Sequence, residues 1–246
     1  MRVTRFSTAW MLLLALSACG WTSYGGESAL PSVPEAPPQR LIDEYVNSEM
    51  ETQRIPGLSV AVVREEKLVH ASGYGKASLE LDVPATASTL YGLGSISKQF
   101  TATAIMLLVE QGKVKLDDHL TNYFGWLPKD WDEVTVRHLL THTSGIREQQ
   151  WKDGIIEFDR FEHNQEEIVK TAFGSLLAQP GEKFNYSNVG YRLLGMLIEK
   201  VSGQSYWEFL ERRIFSQVGM KATRNSDPKT VIRNRARGYG ISGGQV

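Results

Sequence analysis

The chain has 246 residues, with 27 Lys and Arg against 28 Asp and Glu, 41% apolar residues and one cysteine. That is enough for one sizeable domain, while the near-neutral balance gives no electrostatic footing for nucleic acid as a partner. A single thiol excludes an internal disulfide framework.

Residues 1–18 read as an export signal. Arg2 and Arg5 make a basic start, and Trp10 to Leu16 is an apolar run too short to span a bilayer. The run closes on Leu16-Ser17-Ala18-Cys19, the pattern of a bacterial lipobox, in which Cys19 carries lipid after cleavage. That reading explains the position of the only cysteine; the alternative is an unpaired secreted thiol. Two or three acyl chains would anchor the protein to a membrane far more firmly than one. Gly20, rather than Asp, in the next position resembles lipoproteins sorted to an outer membrane, so the expected location is the cell envelope, outer membrane, facing the periplasm. Residues 19–39 are then the lipidated cysteine and a flexible tether, dominated by Gly, Ser and the prolines Pro31, Pro34, Pro37 and Pro38. Residues 40–246 remain for a folded domain.

Within that domain, Leu41 to Met50 has helical apolar spacing, and Pro56-Gly57 breaks it. Leu58 to Val63 and Leu68 to Tyr74 read as strands of a hairpin over Arg64-Glu65-Glu66-Lys67, with 76–89 as a loop. From Ser95 the period changes: Phe100, Ala104, Ile105, Leu107 and Leu108 form a helical stripe that ends at Gly112. Short helices are expected over 134–140, 166–177 and 206–215, and a strong one over 189–201, stopped by Gly203. Two strands make a poor sheet. Further strands are expected from a later segment, which the chain lacks.

Two segments carry chemistry. Ser95-Ile96-Ser97-Lys98 opens the apolar helix. Ser-x-x-Lys alone is weak, because 20 Ser and 12 Lys give about one chance match in such a chain. Ser226-Asp227-Pro228-Lys229 is that accident, in a polar loop with a proline. At Ser95 the turn-forming Gly92-Leu93-Gly94 precedes, and Lys98 shares a helix face with the serine. A serine in a first helical turn lies near free backbone N–H groups that favour an oxyanion, and an adjacent lysine can act as its proton partner. The plainer reading is a helix cap with a solvated lysine. In the second segment, Pro180-Gly181 leads to Tyr186-Ser187-Asn188. A tyrosine hydroxyl beside a lysine is a candidate general base and later acid, and Asn188 can accept from Lys98 while donating to a substrate carbonyl. The plainer reading is a packed tyrosine and an asparagine N-cap.

Taken in order, these segments resemble the penicillin-recognising serine hydrolases, the β-lactamase-related family of class C β-lactamases, D-Ala-D-Ala carboxypeptidases and esterases. The resemblance covers residues 40–246. It includes Ile55-Pro56-Gly57, Gly112-Lys113-Val114-Lys115-Leu116-Asp117-Asp118 and Arg137-His138-Leu139-Leu140-Thr141-His142-Thr143-Ser144-Gly145. It implies Ser95 as the acylated nucleophile, Lys98 as its proton partner, Tyr186 as base and acid, and Asn188 as a substrate-positioning group. It implies no metal or organic cofactor, and a small-molecule or peptidoglycan-like peptide as substrate. The implied fold is α+β, an antiparallel sheet flanked by helices with a helical subdomain. The family's third element, Lys-Thr-Gly or His-x-Gly on a sheet strand, does not occur after Asn188. The expectation is therefore a C-terminally truncated domain whose sheet is incomplete because its C-terminal strands are absent, with an open edge prone to association. Two readings follow: a lipid-anchored serine hydrolase for an amide, β-lactam or ester, or a truncated, non-catalytic or merely acylable remnant.

The remaining signals are weaker. Gly240-Ile241-Ser242-Gly243-Gly244 fits a nucleophile elbow but has no helix after it. His138 and His142, four apart, lack a third metal ligand in the pattern and belong to the resembling structural segment. His70, His119 and His163 show no partner pattern, and Trp126, Trp131 and Trp151 are read as packing before a rim over the site. Arg224, Arg233, Arg235 and Arg237 read as a solvated face.

Overall fold

The computed structural model describes residues 39–148, 164–226 and 230–241. The export signal, Cys19, the tether up to residue 38, Trp151, His163, Lys229 and Ser242 lie outside the described residues.

Helix α1 (Gln39–Gln53) precedes a hairpin of β1 (Gly57–Arg64) and β2 (Lys67–Ser78), followed by the two-residue β3 (Val83–Pro84). The strands form an antiparallel sheet in the order β1-β2-β3, with Gly57 opposite Gly75 and Ala61 opposite Ala71. A bulge at Val62/Val63 precedes the turn, where Glu65 (φ 48°) and Glu66 (φ 62°) both take left-handed backbone. That is the twist a two-residue hairpin loop needs, adopted here by residues that favour it poorly. One face of the hairpin carries Tyr74, whose hydroxyl donates to Asp43 of α1 and sits 2.9 Å from His70 Nε2. The other face is crossed by residues 85–86, so close that a Cβ on Gly73 would fall 2.3 Å from the Thr86 backbone.

The helical body follows. A 3₁₀ turn (Gly94–Ser97) runs into α2 (Lys98–Glu110); then come α3 (Val136–Leu140), α4 (Gln165–Lys170), α5 (Asn188–Ser202) and α6 (Tyr206–Leu210), the last continued by a wider turn over Glu211–Phe215. On α5 the buried residues fall in two rows, Val189-Leu193-Leu197 and Gly190-Leu194-Ile198, the i, i+4 spacing of one helix face. Ala104, Ile105 and Leu108 of α2 share one buried core with that face, and Thr101 bonds to the Tyr206 hydroxyl at 2.7 Å. Gly203 stops α5 in the left-handed conformation (φ 69°), as its sequence position predicts. Among the described residues no helix is long and apolar enough to cross a membrane.

Four sequence expectations shift. The 76–89 loop contains the end of β2 and all of β3, so three strands form where two were expected. The helix expected over 166–177 stops at Lys170, where Thr171, Ala172 and Phe173 turn back by bonding to Ile168, Val169 and Lys170. Ser95 lies on a 3₁₀ turn ahead of α2 and not in its first α turn. Residues near the end return to the sheet: Leu90 pairs with Arg235, and the Arg237 N–H donates to Ala77. Arg224, Arg233, Arg235 and Arg237 are exposed, as expected, and Arg237 reaches Glu80 at 3.3 Å. Trp131 is wholly buried against Phe173, and Trp126 also packs on Phe173, so these two indoles are packing residues.

Candidate active site

Two loops build the site. The first is the turn Gly94–Ser97, reached through Gly94 in left-handed backbone (φ 52°) and closed by the Ser97 hydroxyl donating to the Gly94 carbonyl at 2.7 Å. That side chain is occupied with the turn, whereas Ser95 stands exposed. Lys98, one residue into α2, is half-buried and turns back toward it.

The second loop carries Tyr186. It is held by a ladder between residues 142–146 and 177–187. Leu177 N–H donates to Gly145 O (2.8 Å), Gly181 N–H to Thr143 O (2.8 Å), Asn185 N–H to His142 O (2.7 Å) and Asn185 Nδ2 to Ile146 O (3.2 Å). Gly145 cannot be replaced freely, because its φ is 73° and a Cβ would lie 2.2 Å from the Ala178 carbonyl.

The loops meet at Ser95 Oγ. Tyr186 OH donates to it at 2.8 Å, and Lys98 Nζ reaches it at 3.4 Å. Lys98 Nζ also donates to Asn188 Oδ1 at 2.7 Å and lies 4.9 Å from the Tyr186 ring centroid. All four residues singled out in the sequence are thus in one place. Asn188 is not the N-cap of α5. Ser187 fills that role, its Oγ accepting from the Gly190 N–H at 3.0 Å, and so the Asn188 side chain is left to hold Lys98. Nor does Ser95 cap its helix with its side chain.

Neighbours that the sequence did not mark complete the site. Glu148 accepts the Asn188 N–H at 2.6 Å. Tyr191 anchors its hydroxyl on the Leu140 carbonyl at 3.1 Å, and burial raises its pKa. His142 stacks on Tyr186 with ring centroids 4.5 Å apart. Burial, followed by the Lys98 cation, lowers its pKa below the ordinary 6.5. His138 and His142 do different jobs: His138 Nδ1 accepts the Thr135 N–H within the cap of α3, while His142 Nδ1 accepts from Ser187. The signal that could have found His142 is its place in the Leu140–Gly145 turn, one ladder step from Tyr186.

A cleft of about 360 Å³ opens beside Lys98, lined by Asn188, Tyr191, Thr101, Met196 and Tyr206. A larger space of about 650 Å³ is walled by Tyr91, Leu93, Phe100, Trp207, Phe215 and Arg235. Ser97 borders both.

Residues 42–246 match the family described as Beta-lactamase. Penicillin-binding protein 4* of Bacillus subtilis is 36% identical over 179 residues, which is 71% of this chain and 39% of that protein. The octameric penicillin-binding protein homologue from Pyrococcus abyssi superimposes with a TM-score of 0.71 at 33% identity, covering 84% of this chain and 49% of that one. D-amino acid amidase from Ochrobactrum anthropi superimposes with a TM-score of 0.69 at 32% identity, covering 83% and 56%. The chain therefore spans well under two thirds of the length of each of these relatives.

Proposed function

The chain belongs to the beta-lactamase family, and from that premise we propose that it is a serine hydrolase working through an acyl-enzyme on Ser95. The observation that carries the reading is the meeting of Tyr186 OH and Lys98 Nζ on one serine oxygen, although Tyr186 lies 91 positions after Ser95 in the chain. Ser95 Oγ attacks a substrate carbonyl carbon. In the resting arrangement the Tyr186 phenol donates to Ser95; for reaction its own proton passes first to water at this exposed site, and the resulting phenolate takes the serine proton as Oγ attacks and later gives that proton to the leaving group. Lys98 Nζ, pinned by Asn188 Oδ1, stays within hydrogen-bond reach of Ser95 Oγ. Water then attacks the acyl-Ser95 ester by the same proton route.

The substrate is an amide, a β-lactam or an ester, on a small molecule or a peptidoglycan-like peptide. The exposed serine, and the space beyond Gly94 and Ser97 walled by Tyr91, Leu93 and Phe100 with Arg224 and Arg235, support a substrate that carries an apolar group along with its carbonyl. By the lipobox pattern, Cys19 carries lipid and holds the enzyme at the outer membrane facing the periplasm. Incorporation of a palmitate analogue that is lost in Cys19→Ala would bear this out, and equal incorporation in that variant would remove it.

Steady-state release of p-nitrophenol from short-chain acyl esters tests the activity. Turnover that disappears in Ser95→Ala and falls at least ~10²-fold in Tyr186→Phe is the expected result. A second reading is a site that is acylated but does not turn over. It predicts one stoichiometric burst and no further product.

A further inference from the structure

We propose that His142 is a positioning residue whose neutral ring keeps the Tyr186 hydroxyl on Ser95 by holding every residue of the turn that presents it. For its kinetic consequence this rests on the serine-hydrolase reading above; its structural consequence does not.

Tyr186 is 42% exposed, so burial alone does not fix its ring. One residue supplies what burial does not. The His142 carbonyl accepts the Asn185 N–H at 2.7 Å, and its Nδ1 accepts the Ser187 N–H at 3.1 Å. Its ring lies over Tyr186 at 4.5 Å and 29°, and meets the edge of Phe184 at 5.8 Å. Residues 184 to 187 are each tied to His142. The ring is itself backed by Tyr191, at 4.9 Å and 31°. His142 takes left-handed backbone (φ 57°), which turns the chain after α3 so that the ring and the carbonyl can face the same loop.

The Ser187 bond fixes a tautomer. An Nδ1 that accepts a peptide N–H carries its lone pair there, so the ring proton is on Nε2. A second proton would have to sit on Nδ1, facing a donor. The charged and titratable groups that face His142 are Lys98 from α2, Tyr186 from the turn and Tyr191 from α5; Glu148 lies beyond the turn on the Asn188 N–H, and His138 on the same segment is engaged in the α3 cap. Burial and Lys98 both oppose the second proton, which matches the acceptor role. When acid does protonate the ring, the Ser187 N–H loses its acceptor, a cation lies against Lys98, and the phenol leaves Ser95.

Two substitutions separate positioning from packing. His142→Asn keeps a side-chain oxygen that can accept the Ser187 N–H and tolerates left-handed backbone, but does not titrate. His142→Phe keeps the ring and has no acceptor. In the folded chain, ¹⁵N-histidine NMR should give His142 a midpoint below 6.5, and the Tyr186 ring resonances should shift with that midpoint. Labelling of Ser95 by a fluorophosphonate should slow over the same range. His142→Asn should remove the acid step from both readouts while labelling within about tenfold of the wild-type rate at neutral pH, and His142→Phe should label about 10- to 100-fold more slowly at all pH values. Tyr186 resonances indifferent to the His142 titration, or an acid step that survives in His142→Asn, would overturn the proposal. Should no variant label at any pH, the hydrolase reading fails while the NMR titration still decides the positioning role. Should His142→Phe not fold, the Asn variant decides alone.

Discussion

In the helical body, Ile105, Leu108, Leu193, Leu194, Leu197 and Ile198 are sealed from solvent, whereas on the hairpin Val63 and Leu68 stand 65% and 63% exposed. The β1 strand has no fully buried residue, and β2 buries His70, Tyr74 and Ala77. All four residues of the site ride on the helical side: Ser95 on the turn into α2 and Lys98 at its first residue, Tyr186 on the turn into α5 and Asn188 at its first residue. The hairpin touches the site indirectly, through Ser59, whose hydroxyl binds the Thr86 carbonyl and sits 2.9 Å from Tyr91 OH. The difference teaches that the geometry at Ser95 depends on α2 packing against α5 far more than on the sheet.

The comparison can be broken by unequal sensitivity to mutation. Leu197→Ala, emptying a sealed position on α5, should cost about 2–5 kcal/mol in a urea titration, against about 1 kcal/mol for Val62→Ala on the half-buried β1. Equal costs would mean the hairpin is as much a part of the core as α5. Gly145→Ala sets a side chain 2.2 Å from the Ala178 carbonyl at a left-handed position. It should destabilise by on the order of 1–3 kcal/mol and loosen the Tyr186 loop; a fully stable variant would show that the 142–146 ladder can shift. In the hairpin the sign reverses. Glu65→Asn with Glu66→Gly suits the two left-handed turn positions and should stabilise by about 0.5–1 kcal/mol, seen as slower amide exchange on β1 and β2 but not on α5.

The smallest effect is expected from acid. Burial is the leading cause of the lowered pKa of both His138 and His142, so the unfolded chain binds their protons more readily. Their contribution to stability is fully present above 6.5 and is lost as pH falls from there through the lower folded values. Because both rings lie in the helical body, acid should speed exchange at α3 and at the start of α5 before it affects the hairpin. The reverse order would contradict the assignment.

Much of this was legible in the sequence because local chemistry and tertiary fold agree. The i, i+4 rows of α5, the Gly203 stop and the hairpin over residues 64–67 all use short-range rules that packing did not override. The site residues were legible as two separate segments; their meeting was implied by resemblance and is now a distance, 2.8 Å between Tyr186 OH and Ser95 Oγ. Less visible were features set by contacts distant in sequence. The strand pair at β3 depends on Pro84 lying against Lys76, and α4 ends early although its apolar pattern continues to Leu177. The role of His142 was hidden for the same reason, since a histidine inside a turn carries no periodic signal and gains its partners 42 to 49 residues later.

The intact mass of the folded chain after incubation with a fluorophosphonate, whose serine adduct is not turned over, tests the central claim most directly. The prediction is a single adduct of the mass of the phosphonyl group, with fluoride lost, mapped to Ser95 and absent from Ser95→Ala. A folded chain that gains no mass, or an adduct that persists in Ser95→Ala, would contradict it.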